Sequence, residues 1–232
     1  MLVAAAVCPA PPLLARQLTG ADPVLPELRQ ACLDAVTELL AARPDFVAVV
    51  GAADATQVFD PARQLDLRVF APALPGLPPR IAPVPAAVGL GKILLDQAGH
   101  TGPRELSSVG AAEPGGACAG MGAQLARKAD RVALLVMADG TARRTLKAPG
   151  YLDERSAPFD QQVARILSGP DLTPLLTLDA GLASELMATG RPAWQVLAGA
   201  AAGLASTARV HYQGDPFGVF YLVSSLTFAA AR

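Results

Sequence analysis

The sequence predicts an α/β fold: a mainly parallel sheet flanked by helices, with an antiparallel hairpin added at the C-terminal end. Three observations predict it. Residues 2–7 form a short, unbroken apolar run that ends in a proline-rich turn, the pattern of a strand buried on both faces. Over residues 26–42, Leu28, Ala31, Cys32, Ala35, Val36, Leu39 and Leu40 recur at spacings of three and four opposite a polar face, which is an amphipathic helix. A second apolar run at 46–50 follows, and strand, helix and strand joined this way form a βαβ unit with parallel pairing.

The same reading continues along the chain. Residues 60–85 carry seven prolines, Pro61, Pro72, Pro75, Pro78, Pro79, Pro83 and Pro85, so no regular element is expected there beyond a strand at 67–70. That segment reads as an ordered surface excursion within one domain spanning 1–232; a linker between two domains is the competing view. Next come a helix at 85–98, a strand at 105–109, a helix at 117–129 and a strand at 131–137. Phe159, Val163, Ile166 and Leu167 mark a further helix. Asp179 is placed to cap another that runs to Thr189. Pro192 opens a helix whose inner face is Trp194, Leu197, Ala201 and Leu204. Residues 208–212 and 217–227 flank Gly214, Asp215 and Pro216 as a hairpin.

Composition narrows the function classes. A formal charge of −1, from 19 basic and 20 acidic residues, creates no field that would gather nucleic acid or anionic lipid. Cys8, Cys32 and Cys118 form no CxxC pair and no even-numbered framework, which fits a reducing, cytoplasmic setting. The apolar N-terminal stretch has no leading Lys or Arg and is broken by Pro9, Pro11 and Pro12, so it reads as a first strand rather than a leader. No membrane span is expected. Gly89-Leu90-Gly91-Lys92 hints at a phosphate loop but lacks its spacing, because Ile93 follows the lysine.

In open parallel sheets, ligands bind beyond the carboxyl ends of the strands, which directs attention to three stretches. Cys8 and the prolines follow the first strand, Asp54 follows the second, and Asp139 to Arg144 follow the later one. Arg143 and Lys147, with Tyr151 beyond them, offer charge-assisted donors for a small anionic or oxygen-rich ligand. Asp54 and Asp139 also serve as ordinary caps of the segments that follow them. Cys8 reads as a small buried residue rather than a nucleophile, because no histidine lies near it in sequence.

Four stretches also carry a resemblance: VCPAPPLL at 7–14, MADGTARRTLKAPGYLDERSAPFD at 137–160, GRPAWQVLAGAA at 190–201, and DPFGVFYLV at 215–223. Together they resemble the subunit-B-like family of class III extradiol dioxygenases, including an actinobacterial branch of it, over nearly the whole chain. The resemblance implies a non-haem Fe(II) held by two histidines and a carboxylate, a further acid/base histidine, and a catechol-like substrate. Catalytic subunits of that family often work in assemblies, so a homo-oligomer is an implied possibility.

This chain departs from the pattern at each of those positions. Ala10 stands where the first ligand histidine is expected, 51–54 contains no histidine, Ala142 replaces the acid/base histidine, and Gln195 stands near the expected carboxylate. An alanine methyl has no lone pair for a metal, and a neutral amide is a poor ligand beside Fe(II). His100 and His211 are the only histidines. The expectation is therefore a catalytically degenerate protein without a cofactor, with Cys8, Asp54, Asp139, Arg143, Lys147, Tyr151 and Gln195 lining a retained cleft. Three alternatives stand beside it: an Fe(II) site assembled from His100 and His211, a metal-free enzyme built on Asp139, Lys147 and Tyr151, and a partner-binding subunit.

Overall fold

The computed structural model describes residues 1–19, 24–73 and 83–230. In chain order the elements are β1 (Leu2–Cys8), a 3₁₀ turn at Pro12–Leu14, α1 (Arg16–Thr19), α2 (Pro26–Ala41), β2 (Phe46–Ala53) and β3 (Gln57–Phe59). A 3₁₀ turn at Leu67–Val69, α3 (Ala86–Gln97), β4 (Arg104–Gly110), α4 (Gly115–Leu125), β5 (Val132–Met137) and α5 (Ser156–Leu167) follow. The chain ends with a 3₁₀ turn at Thr173–Thr177, α6 (Ala180–Glu185), α7 (Arg191–Ala200), β6 (Leu204–Gly214) and β7 (Tyr221–Ala230).

Among the described residues the sheet has seven strands in the order β3-β4-β2-β5-β1-β7-β6. The four central strands are parallel, and β3, β7 and β6 extend the sheet by antiparallel pairing. Strands from both sides of the proline-rich segment share this sheet, β1 to β3 before it and β4 to β7 after it.

Alternation along the strands builds two cores. Ala4, Ala6 and Cys8 face one side, where α2 and α3 present Leu28, Cys32, Val36, Leu39, Leu90 and Leu94. Ala5 and Val7 face the other, where Phe159, Val163, Trp194 and Leu197 of α5 and α7 pack on Ala48, Val50, Leu134 and Val136. Burying each large aliphatic chain contributes roughly 1.5–3 kcal/mol. Strands β1, β2 and β5 lack a polar face because both of their faces are covered.

Glycines set the closest approaches. A Cβ on Gly51 would lie 2.8 Å from the Ala87 Cβ, and one on Gly91 would lie 2.6 Å from Val49 Cγ1, so α3 rests almost directly on β2. Gly89 and Gly91 thus serve packing, in keeping with their failure to match a phosphate loop. On the opposite layer, Gly122 of α4 and Gly199 of α7 allow those two helices to touch backbone to backbone.

Several boundaries differ from the expectation. The strand expected at 67–70 is a 3₁₀ turn, because the Asp66 carboxylate accepts the Arg68 backbone N–H and closes the chain locally. Residues 74–82 of the proline-rich segment lie outside the described residues. The short edge strand β3 was not anticipated. The helix after Asp179 stops at Glu185, and Met187 adopts a left-handed backbone with φ 56. Helix α7 ends at Ala200, so Leu204 opens β6 instead of completing the inner face of a helix.

Candidate functional site

The carboxyl ends of β1, β2, β4 and β5 converge on a cavity of about 650 Å³, within the usual size range of small-molecule sites. Its polar side chains include Asp54, Ser108, Asp139 and Thr189; its apolar walls include Phe59, Val84 and Met137. The volume comes from short side chains. Ala10, Ala52, Ala53, Ala86 and Ala87 all border it, and each ends in a methyl group.

Asp139 lines this cavity, half-buried, two residues past the end of β5. Its Oδ1 accepts the Ala10 backbone N–H at 2.9 Å, which ties the turn after β1 to the turn after β5. Among the described residues Oδ2 has no hydrogen-bond partner, and it is not among the sealed, unpartnered polar atoms, so it is open to the cavity. Burial pushes the carboxyl up from 3.8 to about 6, opposed by donation from Ala10. A carboxylate raised by burial beside a cavity is a candidate for functional chemistry. Asp54 stands exposed at the rim.

The other anticipated residues are elsewhere. Cys8 is fully buried beneath the cavity and is not part of its lining. It neighbours Cys32, whose thiol is raised far above its ordinary range first by burial, then by contact with Cys8 and by the negative charge of Asp139. The basic stretch after β5 turns away from the cavity. Arg143 donates to the Glu185 carbonyl at 2.9 Å, and its own carbonyl receives the Asp153 N–H. Lys147 is exposed, and Tyr151 is 72% exposed on a left-handed backbone with φ 60. None of the three lines the cavity.

This turning away has a local cause. Thr141 donates twice to the buried Asp160, from its backbone N–H at 2.9 Å and from Oγ1 at 2.6 Å. Arg144 pairs with Asp215 at 2.8 Å and lies 5.8 Å from the centre of the Phe220 ring. The loop is therefore anchored to α5 and to the turn before β7. Burial raises Asp160 as well, to about 6, against the donation from Thr141.

Gln195 is also absent from the cavity. Its Oε1 accepts from Arg191 Nη1 at 2.7 Å, and its Nε2 faces the carbonyls of Leu176 and Leu178. Arg191, itself buried, donates through Nη2 to the carbonyls of Ala111 and Glu113. The pair fastens the segment after β4 to α7, so the amide satisfies buried backbone groups.

The histidines occupy separate places. His100 follows α3 near the amino end of β4. His211 sits at a register shift in β6, 2.9 Å from the Ser225 hydroxyl and 3.4 Å from Glu38. Five strand spacings separate β4 from β6, about 24 Å at the usual spacing of about 4.8 Å. A site shared by both is sterically impossible. Among the described residues, no group of three or more His, Cys, Asp or Glu side chains is placed to hold a metal ion.

A second cavity, of about 580 Å³, lies between the β3–β4 edge and α4. Its main polar groups are already engaged: Lys128 pairs with Glu105 at 2.9 Å, and Thr56 donates to Glu113 at 2.7 Å. The contrast with the open Asp139 oxygen favours the cavity at the strand ends.

Among the described residues, no helix is long and apolar enough to cross a membrane. No family model matches the sequence. No curated protein matches it either. Among solved structures, the crystal structure of uncharacterized protein JW3007 from Escherichia coli K12 is similar at a TM-score of 0.57 and 16% identity, over 97% of this chain and 99% of that one. At that identity the likeness establishes a shared architecture, and the chain is thus similar in fold to that protein along nearly its full length.

Proposed function

We propose that the protein is a catalytically degenerate relative of the class III extradiol dioxygenases that binds a small, hydroxyl- or amine-bearing molecule in the cavity at the strand ends, in the cytoplasm and without iron. The observation that carries this reading is Asp139, a half-buried carboxylate in the cavity wall with one oxygen tied to Ala10 and the other open to the cavity. The position of the expected first ligand, Ala10, contributes only a backbone N–H. Ala142 is buried with its N–H on the Leu186 carbonyl, and Gln195 is engaged with Arg191. These residues do not fit an Fe(II) centre, which needs two imidazoles and a carboxylate on one face.

The ligand chemistry changes from the initial expectation. Arg143 and Lys147 do not reach the cavity, and its titratable lining residues, Asp54 and Asp139, are both acidic. A simple anion is therefore disfavoured, and catechol-like hydroxyls remain suitable as donors to Asp139. The metal-free enzyme built on Asp139, Lys147 and Tyr151 loses its geometry because only the first of these lines the cavity.

Elemental analysis tests the absence of iron. Protein produced in iron-supplemented medium is expected to carry far less than one equivalent of iron and to consume no oxygen with 4-methylcatechol. One equivalent of iron together with ring-cleavage product would overturn the reading.

A further inference from the structure

Among the described residues, two groups that border the cavity lack a full set of partners. One is the open oxygen of Asp139. The other is the start of α3, a 12-residue helix whose first turn, Ala86 and Ala87, borders the cavity. Its N-cap, Pro85, makes no side-chain cap, and the first internal hydrogen bond of the helix begins at the Gly89 N–H. The N–H groups before Gly89 therefore have no partner within the helix and carry the positive end of its dipole. Glycines bring this turn against β2, since a Cβ on Gly51 would lie 3.2 Å from the Val88 nitrogen.

A carboxylate and a helix N-terminus in one cavity would ordinarily bond to each other. Here the backbone donor to Asp139 is Ala10, not the first turn of α3. Among the described residues, an acceptor and a set of donors thus border the same cavity without bonding to each other. An anion alone would meet Asp139 and Asp54, and a cation alone would meet the helix N-terminus. Neither satisfies both poles.

We infer that the cavity is built for an amphoteric small molecule, one that places a protonated amine on Asp139 and a carboxylate or similar anionic group on the first turn of α3. This rests on the cavity being the binding site. Apolar walls from Phe59, Val84 and Met137 suit a short hydrocarbon span between the two ends.

Calorimetric titration at pH 7.5 with 6-aminohexanoate, hexylamine and hexanoate tests the inference, with 4-methylcatechol as a separate probe of the cavity. The expected result is that 6-aminohexanoate binds about tenfold more tightly than either single-charge analogue. Asp139→Asn removes that preference, and Thr189→Trp, which fills the rim from an exposed position, weakens all binding. Equal affinity for the three linear probes, or no measurable binding of 6-aminohexanoate, overturns the inference. Binding of 4-methylcatechol that is lost in Thr189→Trp would still leave the cavity as the site, whereas catechol binding unaffected by that change would remove the cavity as well.

Discussion

Gly199→Ala is expected to destabilise the protein by about 3 kcal/mol or more, a large effect for one added methyl group. The new Cβ would lie 2.7 Å from the Ala119 carbonyl carbon and closer still to that residue's Cα and oxygen. These are backbone atoms in the middle of α4, so no side chain can rotate away. Gly122 presents the reciprocal constraint, with a Cβ there 2.6 Å from the Ala200 nitrogen and in collision with the Val196 carbonyl. Gly120, in the same helix, has nothing within 4 Å of its Cβ position. Gly120→Ala should therefore stabilise by about 0.5–1 kcal/mol through reduced backbone freedom in the unfolded chain. Urea denaturation of the two variants and wild type measures the contrast. Similar stabilities for Gly199→Ala and Gly120→Ala would mean that α4 and α7 are farther apart than described.

Asp139→Asn is expected to raise stability at pH 7 to 8 by about 1–3 kcal/mol. The folded carboxyl is raised from 3.8 to about 6, so folding favours its protonated form. The stability this group contributes is complete below the unfolded value near 3.8 and is lost as pH rises through about 6. At neutral pH the ionised group is thus a net burden, with a ceiling of about 3 kcal/mol at 1.36 kcal/mol per pH unit, reduced by its partial access to the cavity. Asparagine keeps an oxygen for the Ala10 N–H and carries no charge. The gain should shrink to near zero at pH 4. Wild type should weaken across this window through both Asp139 and Asp160, and the variant should retain only the Asp160 part. Denaturation midpoints measured from pH 4 to 8 give the answer, and a variant less stable than wild type at pH 8 would contradict it. Keeping a charge at this cost fits a residue retained for binding.

The central strands and α2 were legible because burial on one or two faces imposes a clear apolar period. The short β3 was not, since three residues with Gln57 and Val58 exposed carry almost no period. The 67–70 segment was misread because its apolar residues resemble a strand, while the deciding feature is a local contact from Asp66 to the Arg68 N–H. At the site, Asp54 and Asp139 could be placed because parallel topology brings strand ends to one edge. Arg143, Lys147 and Tyr151 were drawn to that edge by sequence proximity alone. Their loop is held off by the long-range contacts of Thr141 with Asp160 and of Arg144 with Asp215, which no local pattern reveals. The start of α3 was missed as a cavity wall. Its signal was the pair of small residues Ala86 and Ala87, beside Gly51-Ala52-Ala53 at the end of β2.

The most direct test of a metal-free binding cavity is a crystal structure of protein taken straight from its cells, with diffraction recorded on both sides of the iron absorption edge. The account predicts density for a small organic molecule against Asp139 and the first turn of α3, with no anomalous peak between the ends of β1, β2 and β5. An iron peak there, coordinated by side chains of this chain, would contradict it.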